Sequence, residues 1–556
     1  MKRKRTLLSA LACALSAALA VSALAGCGGS AATNPPAATT QTASATDTPA
    51  ATPTGYDGVS NFKITDTPSN ITIFMAYGDA GAPTGDMPIW QAAAQTTGIS
   101  MTNVASPSIT DGQESLSTML ASGKLPDIIY GGQNDLGTVV QQGGFIPLDD
   151  LIAQYAPNIQ NYFNNNPDAR ASSTYADGVK YYIAGTLNPT FQPVADTLIP
   201  TMVWFIRTDW LTKLNLSVPT NMDELTNVLY AFRNNDPNGN GQKDEIPFFY
   251  RDGSPVGLYQ LFGVPGNWGT WAVDPATHKV VFGRITEEYK NALRTMSKWY
   301  ADGIIDPEIL TRGSQARQEL LGNNTGGMTY DWFESTSNMN YNTDITDAVP
   351  GFEFMPMMPP ADVNGKVKNV DSQSPVDGNV WGITKDCKDP VAAIKYMDFW
   401  FSQQGAMLMT YGIEGKSYTM VNNQPQYTDE ATSFGAGIPN YMITLGSGGV
   451  HGIINVDISQ KTDIAQQAYR MYADSGILEP PFPTFAMNDD EAAVIADKWG
   501  PIDTLWKQYE QEVLYGEKDV DATWAGYIAA MHSLGMQDVL DAYNSSYARY
   551  YADSSK

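Results

Sequence analysis

The sequence predicts an α/β protein of two lobes that ends in a helical region. Three observations predict it. The chain has 556 residues, more than one hydrophobic core usually supports, so it divides. Early in the globular part a strand pattern, a helix pattern and a second strand pattern follow one another, the order that builds a parallel sheet. Beyond about residue 500 the apolar residues recur only at helical spacing. Ile502, Leu505, Trp506, Tyr509 and Val513 form one stripe; Trp524, Tyr527, Ile528, Met531 and Leu534 a second; Val539, Leu540, Tyr543, Tyr547 and Tyr550 a third. These stripes read as packing faces and are assigned no ligand.

The first residues read as an export signal, 1–26. Lys2, Arg3, Lys4 and Arg5 precede an apolar run from Leu7 to Leu24 that is interrupted by small residues. Leu24-Ala-Gly-Cys27 resembles the bacterial lipobox, which implies cleavage before Cys27 and lipidation of that cysteine. A plain transmembrane helix is the alternative, and the short run ending in small residues argues against it. From Gly28 to about Thr54 the chain is Ala, Thr, Pro, Ser and Gly with almost no large apolar side chain, which cannot bury a core, so residues 27–60 read as a lipid-anchored flexible tether. The folded part is then expected on the outer face of the cytoplasmic membrane, in the extracellular space. Cys13 leaves with the signal and Cys27 carries lipid, which strands Cys387 without a disulfide partner. With no His beside it in sequence, Cys387 reads as a small core residue.

A formal charge of −26 at pH 7 argues against nucleic acid and against adsorption to anionic lipid. His278, His451 and His532 are far apart and show no zinc or triad spacing. The first lobe is expected over 61–195, with returning segments near 375–415, and the second over 196–556.

Ile71–Ala76 reads as the first strand, Pro88–Thr97 as a helix with Gly98 as its C-cap, and Leu116–Ala121 as a second helix broken at Gly123. Lys124–Tyr130 reads as a short buried strand. Ligands of such lobes bind beyond the carboxyl ends of strands, which brings Asp127 and Tyr130 to the cleft edge; their ordinary alternatives are a turn carboxylate and a half-buried aromatic. Phe145–Ile152 opens a helical segment, and Asp177–Ile183 reads as a hairpin arm. Met202–Arg207 is a strand, and Thr220 is the N-cap candidate of a helix running to about Arg233.

That helix enters Asp236-Pro-Asn-Gly-Asn-Gly-Gln-Lys-Asp-Glu-Ile-Pro247. Hard-cation loops place oxygen donors at alternate positions, with a glycine at the sharp turn. Asp236, Asn238 and Asn240 hold the first three donor positions and Gly241 the turn. The carbonyl of Gln242 falls seventh and Asp244 ninth. Pro247 stands where an EF-hand has its bidentate Glu, and Glu245 is the nearby carboxylate that could replace it. Carboxylate and amide oxygens suit Ca²⁺ rather than zinc. An Asn/Gly/Asp-rich surface turn without metal is the alternative.

Gly123-Lys-Leu-Pro-Asp-Ile128, Ile206-Arg-Thr-Asp-Trp-Leu211, the Asp236–Pro247 loop and Tyr411-Gly-Ile-Glu-Gly-Lys-Ser-Tyr418 together resemble the extracellular solute-binding lipoproteins of carbohydrate ABC importers. The metal loop is similar to that of the alginate-oligosaccharide binders in that family. From about residue 70 onward the resemblance implies a periplasmic-binding-protein-like clamp with a hinge. Such a clamp is a monomer that binds an oligosaccharide in its cleft and presents it to a membrane permease, with no covalent chemistry. Gly263–Trp271 is a Gly-rich loop carrying Trp268 and Trp271, whose faces suit the apolar C–H faces of sugar rings; covering a hydrophobic edge is the alternative. Trp332 and Asp331 sit in the segment that resembles the family's strand into the cleft, Trp381 in its returning strand. Tyr130, Trp204, Trp381 and Tyr411 are further stacking candidates, while Asp127, Arg207, Asp331 and Glu414 are expected to read hydroxyls. A neutral oligosaccharide is the default, because the matched loops hold few basic residues beyond Arg207; a peptide or an anionic sugar stays open. A secreted glycoside hydrolase or lyase would need two carboxylates facing across the broken bond, and nothing in the sequence singles out a pair.

Overall fold

In this computed structural model the described residues are 55–555, apart from 76–81, 106–111, 188–197, 252, 254, 374–375, 435–437, 448–452, 455–457 and 459–460. The signal, Cys27, most of the tether and His451 lie outside them. Among the described residues no helix is long and apolar enough to cross a membrane.

Two sheets organise the chain. The first lobe opens with β1 (Ser69–Phe74), β2 (Ile99–Asn103), β3 (Ile128–Gly132) and β4 (Ile183–Leu187). The second holds β5 (Met202–Arg207), β6 (Ile246–Phe248), β7 (Gly326–Trp332) and β8 (Phe354–Met357). The chain then returns to the first sheet as β9 (Val376–Ile383) and β10 (Ile453–Ile454). The first sheet runs β10-β4-β9-β3-β1-β2 and the second β8-β5-β7-β6. β1 lies parallel to β2 and β3, as the strand–helix–strand pattern predicts.

Residue alternation explains why β5 is buried along its whole length. Successive side chains of a strand point to opposite faces. Met202, Trp204 and Ile206 enter one core of the second lobe, and Val203 and Phe205 enter another. Helices cover both faces, so the strand reads as an unbroken apolar run. The helix Pro88–Thr97 begins with proline at its first turn and ends at Gly98, whose φ of 79° suits a left-handed cap.

Some boundaries move for local reasons. β3 starts at Ile128, not Lys124, because Pro126 cannot donate to a ladder; its carbonyl instead accepts a hydrogen bond from Thr384 Oγ1. The helix Met222–Asn234 is capped by Asn221, one residue after Thr220, which bonds Glu224 Oε2 instead.

Between the sheets, Ile199–Pro200 pairs antiparallel with Ser372–Gln373. The return to the first lobe extends beyond 415. Tyr441, Met442 and Leu445 join its core, and β10 pairs with β4. The long helices Asp489–Leu514, Val520–Ser533 and Met536–Ser554 pack into the second core. The last also reaches the first lobe, where Tyr550 Oη donates to Asp168 at 3.0 Å.

Candidate ligand-binding site and metal loop

The loop Gly263–Trp271 turns through left-handed backbone at Gly266 (φ 87°), Trp268 (φ 55°) and Gly269 (φ 66°). Glycine adopts this region freely, but for a bulky aromatic it is costly and must be enforced by the surroundings. One bond holds the main chain there and a second holds the ring. The Trp268 carbonyl accepts from Arg284 Nη2 at 2.7 Å, and the indole Nε1–H donates to Asp371 Oδ2 at 3.0 Å. Arg284 is itself buried, ion-paired with Glu510, with its guanidinium over the rings of Tyr259 (4.1 Å) and Trp506 (4.6 Å). The indole is therefore fixed, yet 44% exposed.

Asp371 is 5% exposed. It also accepts from Thr201 Oγ1 at 2.6 Å and from Asn267 Nδ2 at 3.3 Å. Burial pushes its carboxyl above the ordinary range, and these donors pull against that shift. Thr201 follows the linking strand Ile199–Pro200, and Asp371 precedes Ser372 on its partner strand. The Thr201 carbonyl in turn accepts from Phe333 N at 3.0 Å, which anchors the end of β7 and with it Trp332, 43% exposed. One polar knot thus gathers Trp268 and Trp332 beside the link between the lobes. These two are the exposed tryptophans of the chain's twelve.

The remaining candidates are placed otherwise. Asp331 is buried and ion-paired with Arg251 (3.0 Å) and Arg317 (3.3 Å), directly before Trp332, so it supports the strand end. Trp204 and Trp381 are 0% exposed, each inside the core of its own lobe, and present no face to a ligand in this conformation. Tyr130 pairs with Trp381 across β3 and β9 and is likewise core. Arg207 is 1% exposed and bonded to Asp209 and Asn324, with its guanidinium stacked on Trp210 and Phe352. Asp127 stands before the start of β3, at the end opposite the carboxyl edge. It accepts from Thr72 N (2.8 Å) and Thr72 Oγ1 (2.6 Å), tying β3 to β1. Trp271 is half-buried, stacked on Tyr543 at 4.1 Å. Tyr411 is buried against Tyr418 and Tyr427 at the end of the helix Gln403–Tyr411, and Glu414 is exposed in the turn that follows. Of the predicted set, the structure brings together Trp268, Trp332 and Asp331.

Asp371, Thr201 and Asn267 were missed. Asp371 lies in Asn369-Val-Asp-Ser372, which carries no motif; only Asn267, next to Trp268, had a neighbour that pointed to it. A cavity of about 560 Å³ adjoins the knot, walled by Asn267, Trp271, Phe482 and Tyr550. Another of about 590 Å³ lies between Gln133, at the carboxyl end of β3, and the helix from Asp489. Cys387 is half-buried and burial pushes its thiol up to about 12, so it is an inert thiol.

In the candidate metal loop, Asp236 accepts from the main-chain N–H groups of Gly239 (2.9 Å), Asn240 (3.1 Å) and Gly241 (3.0 Å). The amide nitrogens of Asn238 and Asn240 donate to Asp244 at 2.9 and 3.0 Å, and Asn240 Oδ1 accepts from Gln242 N at 2.7 Å. Lys213 and Arg233 fasten the loop's carbonyls to the flanking helices. Among the described residues no three His, Cys, Asp or Glu side chains converge as a metal set. Glu245 is the unusual member. It is 1% exposed, and its carboxylate oxygens have no hydrogen-bond partner from another residue. Burial, then Asp244 and Asp236, hold its carboxyl above the ordinary range. A buried carboxyl without donors, facing two further acids, fits a cation that also draws on amide and main-chain oxygens.

The sequence pattern of the family described as "Bacterial extracellular solute-binding protein" matches residues 81–407. The fructooligosaccharide ABC transporter substrate-binding protein FusA of Streptococcus pneumoniae is 34% identical over 201 residues, 34% of this chain and 36% of that protein. Lipoprotein LipO of Bacillus subtilis is 25% identical over 364 residues, 61% of this chain and 65% of its own length. The matched stretches thus span less than two thirds of these curated relatives. Among solved structures, the alginate-binding protein AlgQ2 without calcium ion superposes with a TM-score of 0.72 at 30% identity, over 88% of this chain and 99% of that one. The two lobes, the linking strands and these matches lead to one conclusion: the chain belongs to the bacterial extracellular solute-binding proteins.

Proposed function

We propose that this protein captures an oligosaccharide outside the cell and delivers it to the membrane permease of an ABC importer, without transforming it. One observation carries the reading: the exposed tryptophans Trp268 and Trp332 lie beside the strands that link the lobes, the Trp268 indole bonded to Asp371 and the strand end that carries Trp332 tied to Thr201 through Phe333 N. Pre-fixed aromatic faces bind sugar rings with little ordering cost, and a link between lobes is where closure around a ligand pivots. The names of FusA and AlgQ2 support a saccharide ligand. A neutral one is favoured, since Arg207 is already paired with Asp209. Lipidation at Cys27 tethers the monomer to the outer face of the cytoplasmic membrane, a reading supported by the lipobox-like sequence and by LipO. Ca²⁺, held by Asp236, Asn238, Asn240, Asp244, Glu245 and the Gln242 carbonyl, would neutralise the loop's acids and brace it; it would do no chemistry there.

The test is a thermal-melt screen of the signal-free protein against kestose, alginate oligomers and neutral hexose oligomers, with and without EDTA. A ligand of the native state at a hundred times its Kd adds about 2.7 kcal/mol by linkage and raises Tm. If no sugar raises Tm and scattering shows no compaction, the sugar-clamp reading is wrong. Consumption of a sugar by the pure protein would overturn the assignment as a binder.

A further inference from the structure

Asp371 is a carboxylate in a place where an apolar side chain would be cheaper. A buried charge is costly unless its donors are well placed, and here they come from two parts of the chain. Asn267 and Trp268 donate from the aromatic loop, and Thr201 donates from the linking strand. The backbone doubles the tie on the linking side: Thr201 N donates to the Asp371 carbonyl at 3.2 Å, and buried Asn369 Nδ2 to the same oxygen at 3.1 Å. The next residue, Ser372, pairs with Pro200. A change of angle between the linking strands therefore moves the atom that fixes the indole.

We propose that Asp371 is a positioning residue that holds the Trp268 indole in its binding pose and couples that pose to the strands on which the lobes turn. This rests on the reading of Trp268 as a ligand contact. Arg284 fixes the main chain of the same residue independently, through its carbonyl. Loss of Asp371 therefore releases the ring while the loop stays in place. Asn at 371 keeps one acceptor oxygen for the indole and preserves most of the pose; Ala keeps none.

The experiment uses signal-free protein labelled with 5-fluorotryptophan. Trp268→Phe and Trp332→Phe identify the two resonances in ¹⁹F spectra, and kestose serves as the sugar probe. In ligand-free Asp371→Ala the Trp268 resonance is expected to shift and change width while that of Trp332 holds. In Asp371→Asn the Trp268 resonance stays near its wild-type position. Kestose affinity should fall about tenfold in the Ala variant and less in the Asn variant, the scale of loss when one aromatic anchor is disturbed. An unmoved Trp268 resonance in Asp371→Ala overturns the proposal, as does a moved resonance with unchanged kestose affinity. If Asp371→Ala does not fold, a Trp268 resonance and a kestose affinity both unchanged in a Thr201→Val, Asp371→Asn double variant overturn it equally. If the wild type binds no kestose, the choice of sugar fails, and the ligand-free spectra still decide the role of Asp371.

Discussion

Trp204 and Trp332 belong to neighbouring strands of one sheet, Trp332 pairing with Met202 two residues from Trp204, yet one is sealed and the other is in water. The difference is position along the strand. Trp204 sits mid-strand in β5, with Tyr330 at 5.0 Å and Phe248 at 6.1 Å on its ring. Trp332 is the last residue of β7, opposite the first residue of β5, and the only exposed one of its strand. Trp381 repeats the first case in the middle of β9, and Trp268 repeats the second on a tight turn. Residue type alone does not decide exposure in this fold; an aromatic at the end of an element, outside the packed core, keeps its face open.

The widest separation between the two classes is expected in stability. Trp204→Ala or Trp381→Ala opens a cavity in a closed core and should cost about 3–5 kcal/mol, read as a fall in the urea midpoint or in Tm. Trp332→Ala should leave both nearly unchanged. A large loss of stability from Trp332→Ala, or a small one from Trp204→Ala, would break the comparison.

Buried carboxylates sharpen it next. Asp398 is built like Asp371 but has no exposed aromatic. It accepts from Tyr56 Oη (2.7 Å), Asn158 Nδ2 (2.8 Å) and Ile159 N (2.8 Å), pinning the start of the described chain to the first lobe. Burial raises its carboxyl from 3.8 to about 6. The folded state then holds the proton more tightly than the unfolded chain. The resulting stability is fully present below about pH 4 and is lost as pH rises through about 6, on the order of 3 kcal/mol at 1.36 kcal/mol per unit. Asp398→Asn removes the titration. The wild type's advantage over the variant should shrink between pH 4 and pH 7.5, with no effect on sugar affinity. A constant difference across that range would show that Asp398 does not titrate there.

Much of the fold was legible because it follows from periodicity. β5 matches its predicted bounds to the residue, the helix Pro88–Thr97 falls where its spacing and cap put it, and the C-terminal helices fall where apolar spacing puts them. The return to the first lobe was legible in β9 but not in β10, a two-residue strand with no pattern of its own. Of the proposed site, what was legible is an exposed aromatic in a Gly-rich turn or at a strand end, Trp268 and Trp332. Its organiser was not. Asp371 acts through contacts from residues up to 170 positions away, and no local spacing encodes them. Arg207 shows the converse: it looked available in sequence, and Asp209, two residues on, takes its guanidinium.

A smaller effect is expected in binding. Trp268→Ala and Trp332→Ala should each weaken whichever sugar raises Tm by about tenfold, roughly 1.4 kcal/mol, while Trp271→Ala, whose ring leans on Tyr543 and Trp499, should act mainly on stability. Calorimetric titration beside thermal melts separates the two. Equal binding losses for Trp268 and Trp271 would move the sugar face along the loop toward the neighbouring cavity.

Glu245 gives the smallest effect and the most telling sign. Unlike Asp371 and Asp398 it is buried without donors, so in EDTA it should be a burden that Glu245→Gln relieves, raising stability by about 1 kcal/mol. With Ca²⁺ in the loop the same carboxylate becomes a ligand, and the Gln variant should be the less stable protein. The wild-type and variant melting curves should therefore exchange order when millimolar Ca²⁺ replaces EDTA, and the variant's Tm should respond less to the metal. If the order is the same in both, the loop is a hydrogen-bonded Asp/Asn turn that needs no cation. Glu245 would then be a cost carried by the second lobe, of the kind its core tryptophans offset by packing.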